Sequence, residues 1–235
     1  MKYRVAEIFE SINGEGRNVG ELAVFVRFAG CNLNCSYCDT AWANIDTDPA
    51  VADISEDCCR VMSDGDILNA VSESGINRVT LTGGEPLIQP DFVNILTQLF
   101  ELNPKLLIEI ETNGSVDIAE IIAQTKENRP RLTITMDYKL TTSGMQGFMT
   151  DSNFELLGEN DVVKFVAGSR YDLIEAVKVI EKYDLLSRCS VYFSPVADKI
   201  APDSIVDFMK EHKLNGIKLQ LQLHKYIWSC AKRGV

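Results

Sequence analysis

The stretch L-A-V-F-V-R-F-A-G-C-N-L-N-C-S-Y-C, residues 22–38, carries the strongest fold signal in the chain. Its first five residues are apolar, so both faces of a strand formed here would be buried. That pattern is typical of a parallel strand that is covered by helices on one side and packed inside on the other. A loop with three cysteines follows directly. We therefore expect this loop at the carboxyl end of a buried parallel strand.

Similar short apolar runs, rich in β-branched residues, recur along the chain with helical patterns between them. Strands are expected at residues 22–28, 78–82, 105–111, 131–137, 161–166, 190–193 and 216–221, with an outer strand at 3–9. Helices are expected at 64–74, 91–102, 117–125, 171–183 and 204–212, the first with Ser63 as its N-cap and Asp66 three residues on. This alternation predicts the α/β class with a parallel sheet.

The composition is that of an ordinary globular protein. The 235 residues are 46% hydrophobic and 24% charged, which excludes disordered, collagen-like and coiled-coil classes. Lys and Arg number 23 against 34 Asp and Glu, and the net charge of −11 disfavours nucleic acid and membrane surfaces as partners. No apolar stretch approaches the ~18 residues of a membrane span, and residues 1–16 lack the apolar core of a signal peptide. We expect one cytoplasmic domain over residues 1–235.

Two long stretches, residues 42–62 and 140–152, show neither the helical nor the strand period. Loops of this length in a compact domain are usually functional or mobile, so both are candidate lids. The first is a variable segment that follows the cluster loop, residues 30–40, and contains Cys58 and Cys59. Because these two are adjacent, they are badly spaced to join the three loop cysteines at one cluster. Cys189 and Cys230 are interpreted as core and tail residues.

The residues with unusual chemistry lie at the carboxyl ends of the predicted strands. The cysteines follow the first strand, and the other groups end or follow later strands, at residues 82–86, 111–114, 137–139, 194–197 and 222–224. In parallel β/α barrels the loops at this end converge on one mouth, where active sites are built. The sequence therefore predicts a single active site at that mouth.

Cys31, Cys35 and Cys38 lie within eight residues. Three thiolates on a tight loop suit three irons of a [4Fe-4S] cluster, one cluster per chain, and leave the fourth iron open to a ligand. The alternative is a zinc site completed by Cys58, Cys59 or a histidine, although zinc sites usually pair Cys-x2-Cys with a second such pair, which is missing. A non-enzymatic rival function is an iron–sulfur electron carrier or, with zinc in place of the cluster, a zinc-binding adaptor.

C-x3-C-x2-C with Tyr37 before the last cysteine, together with a strand that ends in Gly83-Gly84-Glu85-Pro86, resembles the radical S-adenosylmethionine (SAM) superfamily. The resemblance implies an incomplete parallel β/α barrel in which the amino and carboxylate groups of SAM bind the open iron. It also implies that Gly84 and its neighbours hold the SAM amino group through the backbone. Paired glycines allow such a close approach, although a plain strand-to-helix turn would explain the glycines by themselves.

Three further motifs narrow the resemblance: E-I-F-E-S-I-N-G-E-G at 7–16, R-F-A-G-C-N-L-N-C-S-Y-C-D-T at 27–40 and Q-L-H-K at 222–225. Together they resemble the 7-carboxy-7-deazaguanine synthase family along nearly the whole chain. The resemblance implies a homodimeric carbon-nitrogen lyase of queuosine and deazapurine biosynthesis. Such an enzyme converts 6-carboxy-5,6,7,8-tetrahydropterin into 7-carboxy-7-deazaguanine, releases ammonia and needs Mg2+. Its cluster receives an electron from a donor such as flavodoxin or ferredoxin, and SAM acts as a cofactor that is not consumed.

The resemblance also implies roles for individual residues, each carried over by its motif. Substrate contacts are implied for Ile12, Asn13, Gly14, Glu15, Arg27, Thr82 and His224, and a contact that shuttles a proton for Glu111. SAM contacts are implied for Tyr37, Gly84, Glu85, Asp137, Tyr138, Lys139, Ser194, Pro195, Val196 and Ala197, and an Mg2+ contact for Thr40. Two motifs depart from the family pattern. Asn13 stands where the family more often has glutamine, and D-Y-K at 137–139 replaces a common S-P-K, which weakens the assignments of Asp137 and Tyr138.

Arg27 is supported by the residues alone. A guanidinium inside an apolar run must be paired or bind an anion, because burying it alone costs on the order of several kcal/mol. The alternative to a substrate carboxylate is an ion pair with Glu109 or Glu111. A rival function is a radical SAM activase that generates a glycyl radical on a partner protein. It would share the cysteine loop and Gly-Gly-Glu but would require neither N-G-E-G nor Arg27.

Overall fold

The computed structural model describes residues 1–44, 59–229 and 233–235. Its strands are β1 (Lys2–Ile12), β2 (Leu22–Phe28), β3 (Arg60–Ser63), β4 (Arg78–Gly83), β5 (Leu107–Thr112), β6 (Leu132–Tyr138), β7 (Val162–Ala167), β8 (Ser190–Pro195) and β9 (Ile217–Leu219). Its helices are α1 (Asp64–Ser74), α2 (Phe92–Leu102), α3 (Ala119–Gln124), α4 (Arg170–Lys182), α5 (Pro202–Glu211) and α6 (His224–Ile227). Within these ranges no helix has the length and apolar character needed to cross a membrane.

The strands form one sheet in the order β3-β1-β2-β4-β5-β6-β7-β8-β9. From β2 through β9 every neighbouring pair is parallel, whereas β1 runs antiparallel to both β2 and β3. The order is linear, with β3 and β9 as its two ends, so the sheet of the described residues is an open, incomplete β/α barrel. This confirms the fold expected from the sequence.

The two faces of the sheet differ in polarity because side chains alternate along each strand. Apolar residues such as Val26, Leu81 and Ile110 are fully buried in the main hydrophobic cluster, together with residues of the helices. Most of the alternate residues of β4, β5 and β6 are polar, and several of them bond one another across neighbouring strands. Thr82 donates to Glu111 over 2.7 Å, for example. We call this polar side the inner face, and it carries most of the predicted site.

The predicted elements agree with the structure except in three places. The first helix has the predicted boundaries and a capping box in which Ser63 and Asp66 bond each other's backbone N–H. Residues 60–62 were expected to be loop, but they belong to β3, whose largely exposed residues give no apolar alternation. The expected strand at 216–221 is only three residues long, and α6 was not predicted. Residues 140–152 contain short 3-10 helices, which have neither period.

Candidate functional site

The cysteine loop leaves the carboxyl end of β2 and is fixed by its own backbone. Gly30 N–H donates to the Ala43 carbonyl over 2.8 Å, and Cys38 N–H donates to the Cys35 carbonyl over 3.2 Å. Ser36 bonds the residue 140–144 region, since its hydroxyl donates to the Thr142 carbonyl over 2.7 Å. Cys31, Cys35 and Cys38 are all free and half-buried. The local fold therefore presents three thiols on one short loop.

Polar hydrogens approach two of the three sulfur atoms of this loop. Asn113 Nδ2 lies 3.6 Å from Cys31 Sγ, the Leu33 N–H lies 3.4 Å from the same sulfur, and Asn44 Nδ2 lies 3.7 Å from Cys38 Sγ. Burial raises the pKa of Cys35, while the neighbouring Lys139 opposes that rise. Hydrogen bonds to sulfur tune the reduction potential of iron–sulfur clusters. Asn113 and Asn44 were not predicted, although Asn113 lies in the E-T-N-G motif beside Glu111.

The donor set fits a cubane cluster better than a single metal ion. Among the described residues, no three His, Cys, Asp or Glu side chains converge on one ion position. A cubane needs no such convergence, because each thiolate binds a different iron atom. The zinc alternative needed a fourth ligand, and Cys59 is buried beside β3 while Cys58 lies outside the described residues. The loop therefore favours a cluster with three protein ligands.

Gly83 and Gly84 pack directly beneath the start of the cysteine loop. A Cβ at either position would collide with the carbonyl oxygen of Phe28 or Gly30. Gly83 also has a φ of 140°, a backbone conformation that side chains disfavour. Gly84 N–H donates to the Phe28 carbonyl over 3.2 Å. The paired glycines therefore let two backbone segments meet, which explains them without a ligand.

The Glu85 side chain is directed into the protein. It is fully buried, and its carboxylate accepts hydrogen bonds from the Thr112 hydroxyl at 2.8 Å, the Leu87 N–H at 3.1 Å and the Asn113 N–H at 2.6 Å. Burial raises its pKa to about 7. Because both oxygens bond protein donors, the side chain positions Asn113 next to Cys31. Any contact of Glu85 with SAM would have to come from its backbone.

Residues 137–139 divide between the two faces of the sheet. Asp137 is on the inner face, where its oxygens pair with Lys139 Nζ at 2.8 Å and Lys164 Nζ at 3.0 Å. Burial acts to raise the pKa of Asp137, but the two lysines outweigh it and lower the pKa. Tyr138 points to the opposite face, with its ring 5.6 Å from that of Phe154. The Tyr138 side chain therefore belongs to the core, and only its backbone remains available to SAM.

Tyr37 lies at the end of β7, and residues 194–197 lie at the end of the neighbouring β8. The Tyr37 hydroxyl donates to the Val166 carbonyl over 3.4 Å, and Val166 pairs with Ser194 in the sheet. Ser194 and Val196 are buried, Pro195 is half-buried and Ala197 is exposed. These residues therefore lie at the same strand ends as the cysteine loop, which is the placement that the sequence predicted.

Residues 13–16 form a loop that is bound to the far end of the sheet, and we call it the substrate loop after the role that the sequence predicts for it. Gln220 accepts from the Gly16 N–H and donates to the Gly16 carbonyl, each over 2.8 Å. The Leu223 N–H donates to the Gly14 carbonyl over 2.8 Å, and a Cβ on Gly14 would collide with the His224 imidazole. The N-G-E-G and Q-L-H-K motifs are thus in contact, although about 200 residues separate them.

Two buried polar atoms of the substrate loop lack partners among the described residues. Asn13 Oδ1 accepts from the Thr80 hydroxyl at 2.9 Å, but its Nδ2 has no hydrogen-bond partner there. Glu15 Oε1 accepts from Gln222, while its Oε2 has none. A buried donor and a buried acceptor that lack partners are costly, and a ligand with complementary polar groups would satisfy both.

Arg27 lies on the inner face of β2 and pairs with a residue that the sequence analysis did not consider. Its Nε is 2.8 Å from Glu7 Oε1, and its guanidinium lies over the Phe9 ring, 5.7 Å from the centroid. The alternative partners Glu109 and Glu111 were therefore wrong. The ion pair uses Nε, so it does not occupy the two terminal nitrogens, which suit a bidentate carboxylate.

Glu109 and Glu111, the alternative partners of Arg27, bond other residues of the inner face. Glu109 accepts from the Thr135 hydroxyl at 2.6 Å and from Asn18 at 2.9 Å. Glu111 accepts from Thr82, and its burial, with the nearby charge of Glu15, raises its pKa to about 7. Glu111 can therefore hold or release a proton near neutral pH, as a proton shuttle requires.

Glu111 should make the stability of the protein depend on pH. Its pKa rises from 4.5 to about 7 on folding, so the folded chain retains a proton that the unfolded chain releases. The free energy of unfolding should therefore decrease as the pH rises through that window. We expect Glu111→Gln, which keeps an oxygen for Thr82, to show a smaller fall of the thermal unfolding midpoint with rising pH than the unchanged protein. The exposed Glu73→Gln is the control, and identical pH dependence in E111Q and the unchanged protein would contradict the assignment.

Lys164 is the main site residue that the sequence analysis missed. It interrupts the apolar run V-V-K-F-V, as Arg27 interrupts L-A-V-F-V-R-F. The same argument, that a charge inside a buried strand must be paired, would have identified it. Its side chain is only 6% exposed and forms ion pairs with Glu15 and Asp137.

Comparison with known proteins gives consistent results. The Radical SAM superfamily model matches residues 25–138. The chain is similar to the 7-carboxy-7-deazaguanine synthase of Clostridium acetobutylicum, with 48% identity over 100% of both chains. It is 33% identical to that of Chlorobaculum tepidum, over 98% of this chain and 96% of the relative. The crystal structure of QueE from Escherichia coli has a TM-score of 0.71 at 21% identity and covers 94% of each chain, a likeness of fold.

Proposed function

This chain belongs to the 7-carboxy-7-deazaguanine synthase family of the radical SAM superfamily, and we propose that it converts 6-carboxy-5,6,7,8-tetrahydropterin into 7-carboxy-7-deazaguanine with release of ammonia. Its superfamily implies a [4Fe-4S] cluster and SAM as cofactors. The observation that carries the proposal is the placement of Arg27 on the same strand that leads into the three free cysteines. Arg27, the proposed anion-binding group, and the cluster loop would therefore lie at the same mouth of the barrel.

The cluster would be held by Cys31, Cys35 and Cys38, with the amides of Asn113 and Asn44 directed at its sulfur ligands. When bound, the cluster and SAM supply a 5′-deoxyadenosyl radical that removes a hydrogen atom from the substrate. SAM would lie against the strand ends that carry Gly84, Lys139 and residues 194–197. The protein contributes orientation, charge neutralisation and exclusion of water from the radical.

The pterin would bind between the substrate loop and Arg27. The two terminal nitrogens of Arg27 would bind its carboxylate, while Asn13 Nδ2 and Glu15 Oε2 would pair with an acceptor and an N–H donor of the ring. Both atoms are buried without partners in the described part of the chain, which supports such a ligand. Thr82 is opposite Arg27 in the sheet, His224 packs against Gly14, and Ile12 precedes the loop in β1.

Glu111 would handle the proton that accompanies loss of the ring nitrogen as ammonia. Its carboxyl is on the inner face, bonded to Thr82, and its pKa of about 7 allows both protonation states near neutral pH. The substrate side of the mouth also contains Glu15, whose charge contributes to that pKa. Binding of the pterin N–H edge to Glu15 would therefore change the proton affinity of Glu111.

Mg2+ would bind at Thr40, the last residue of the cluster loop. The Thr40 hydroxyl donates to Asp39 over 3.0 Å, and no cluster of three acidic or histidine ligands occurs among the described residues. Mg2+ prefers oxygen ligands and readily keeps water or substrate oxygens in its shell. One threonine oxygen with substrate and water would thus be sufficient. We further propose a cytoplasmic homodimer, one domain over residues 1–235, and reduction by flavodoxin or ferredoxin.

The activase alternative receives no support. The two relatives named above are both 7-carboxy-7-deazaguanine synthases, and each matches this chain over nearly its full length. An activase would need neither Arg27, which lies on the inner face of the sheet, nor the N-G-E-G loop, which is bonded to Gln220.

The proposed reaction is tested directly with anaerobically purified, reduced protein, SAM, Mg2+ and the carboxypterin. We expect about four irons per chain and a product with the mass of 7-carboxy-7-deazaguanine, formed together with ammonia. Omission of SAM is the control and should abolish product. Cleavage of SAM with no deazaguanine product would contradict the proposed substrate while leaving the superfamily assignment intact.

A further inference from the structure

Lys164 occupies an unusual position for a lysine. It lies within β7, between residues that are themselves buried, and its side chain is 6% exposed. In the sheet it is opposite Asp137 of β6, on the inner face. A buried ammonium is costly unless anions compensate it, so its partners decide what it does.

Two carboxylates from different parts of the chain share the Lys164 ammonium. Its Nζ lies 2.8 Å from Glu15 Oε1 and 3.0 Å from Asp137 Oδ1. The other oxygen of Asp137 lies 2.8 Å from Lys139 Nζ. Glu15, Lys164, Asp137 and Lys139 thus form a row of alternating charges, the four-charge row. Its two carboxylates and two ammonium groups compensate one another, so removal of Lys164 would leave two half-buried carboxylates with a single cation.

The two ends of the row lie in different parts of the mouth. Glu15 belongs to the substrate loop and also accepts from Gln222, next to His224. Lys139 is close enough to the cysteine loop to act against the rise in the pKa of Cys35 and Tyr37 that burial causes. Lys164 therefore stands between the substrate loop and the residues beside the cluster loop.

Lys164 also determines where the free oxygen of Glu15 points. Glu15 Oε1 takes the contacts with Lys164 and Gln222, whereas Oε2 is buried without a hydrogen-bond partner in the described residues. Fixing one oxygen of a carboxylate fixes the other, because the group is planar. The ammonium thus orients an acceptor that lies close enough to Glu111 and His224 for the charge of Glu15 to act on both.

We propose that Lys164 is a positioning residue that fixes Glu15 for the substrate and couples the substrate loop to the Asp137–Lys139 side of the site. The proposal rests on the proposed function, since the ligand that Glu15 binds is the carboxypterin. Through the four-charge row, occupation of either side strengthens binding on the other. Such coupling is reciprocal, so SAM should tighten carboxypterin binding by the same factor as the carboxypterin tightens SAM binding.

The test compares Lys164→Met with Lys164→Arg, which keeps the charge. In the anaerobic protein that contains the cluster, we expect K164M to weaken carboxypterin binding in the presence of SAM by on the order of tenfold and to abolish the mutual tightening. K164R should retain most of both effects. Lys178→Met removes an exposed lysine that also pairs with a glutamate, so it serves as the matched control. Unchanged carboxypterin affinity in K164M would overturn the proposal.

Hydrogen exchange separates positioning from general destabilisation and needs no substrate. In K164M the Gly16 amide, which donates to Gln220, should exchange faster, as should amides near residues 137–139, while those of β4 and β5 remain protected. Equal acceleration throughout the sheet would mean a purely structural role and would overturn the proposal. If unchanged protein binds no carboxypterin, the proposed substrate is wrong, yet the exchange pattern still reports whether Lys164 orders the substrate loop.

Discussion

Replacing Cys35 by alanine should remove the iron–sulfur cluster and with it all product formation. The three loop cysteines would bind three different irons, so loss of one leaves two irons of the cubane without a cysteine ligand. Among the described residues, no group of three or more His, Cys, Asp or Glu side chains could hold a metal ion in place of the cluster. We expect C35A to lose the iron–sulfur absorption band, to contain far fewer than about four irons per chain, and to show neither SAM cleavage nor deazaguanine formation.

Cys189→Ala provides the control for the loss of a thiol. Cys189 is buried at the start of β8, where its thiol lies 3.7 Å from the Leu185 carbonyl, in the core and apart from the loop. C189A should keep its iron content and its activity, with a small loss of stability. An intact absorption band in C35A would show that Cys35 is not a cluster ligand, and the open iron on which SAM binding depends would have to be reconsidered.

The sequence predicted the fold well because the parallel strands are buried and their apolar runs are continuous. It failed at β3, where the side chains are largely exposed and the strand exists only through pairing with β1. It failed also at α6, a single turn whose neighbours are the substrate loop and not the core. In both cases long-range contacts form the element, and the local pattern carries no signal of them.

The candidate site was predictable in its location but not in its internal contacts. Motif positions at strand ends were sufficient to place the cysteines, Thr82, Glu111 and His224 at one mouth. Arg27 pairs with Glu7 and not with Glu109 because β1 lies antiparallel beside β2 and places Glu7 opposite Arg27. The sequence did not predict this pairing. The sequence also could not predict the directions of the Tyr138 and Glu85 side chains, both of which point toward protein groups. The roles of these residues in binding remain predictions.

Replacing Arg27 by alanine should abolish productive substrate binding while SAM cleavage continues at a slow, uncoupled rate. The guanidinium is 21% exposed on the inner face, and its Nε pairs with Glu7 over 2.8 Å. Removal would leave the Glu7 carboxylate without this cation in a space that must accept the carboxylate of the pterin. Truncation of one partner in a desolvated charge pair across a binding interface, here Arg27 with the pterin carboxylate, costs about 2–5 kcal/mol, which corresponds to at least about 30-fold weaker binding.

The expected effects of R27A and C35A differ, because Arg27 is proposed to bind the substrate and Cys35 to bind the cluster. The cysteine loop is fixed by backbone bonds and does not depend on Arg27, so iron content and absorption should be unchanged. Arg27→Lys keeps the charge but loses the planar pair of nitrogens, and we expect an intermediate affinity. Arg170→Ala, which breaks an exposed ion pair with Glu211, is the control. Carboxypterin affinity that is equal in R27A and the unchanged protein would exclude Arg27 as the carboxylate ligand, whereas loss of iron would show that the strand before the cluster loop had been disturbed.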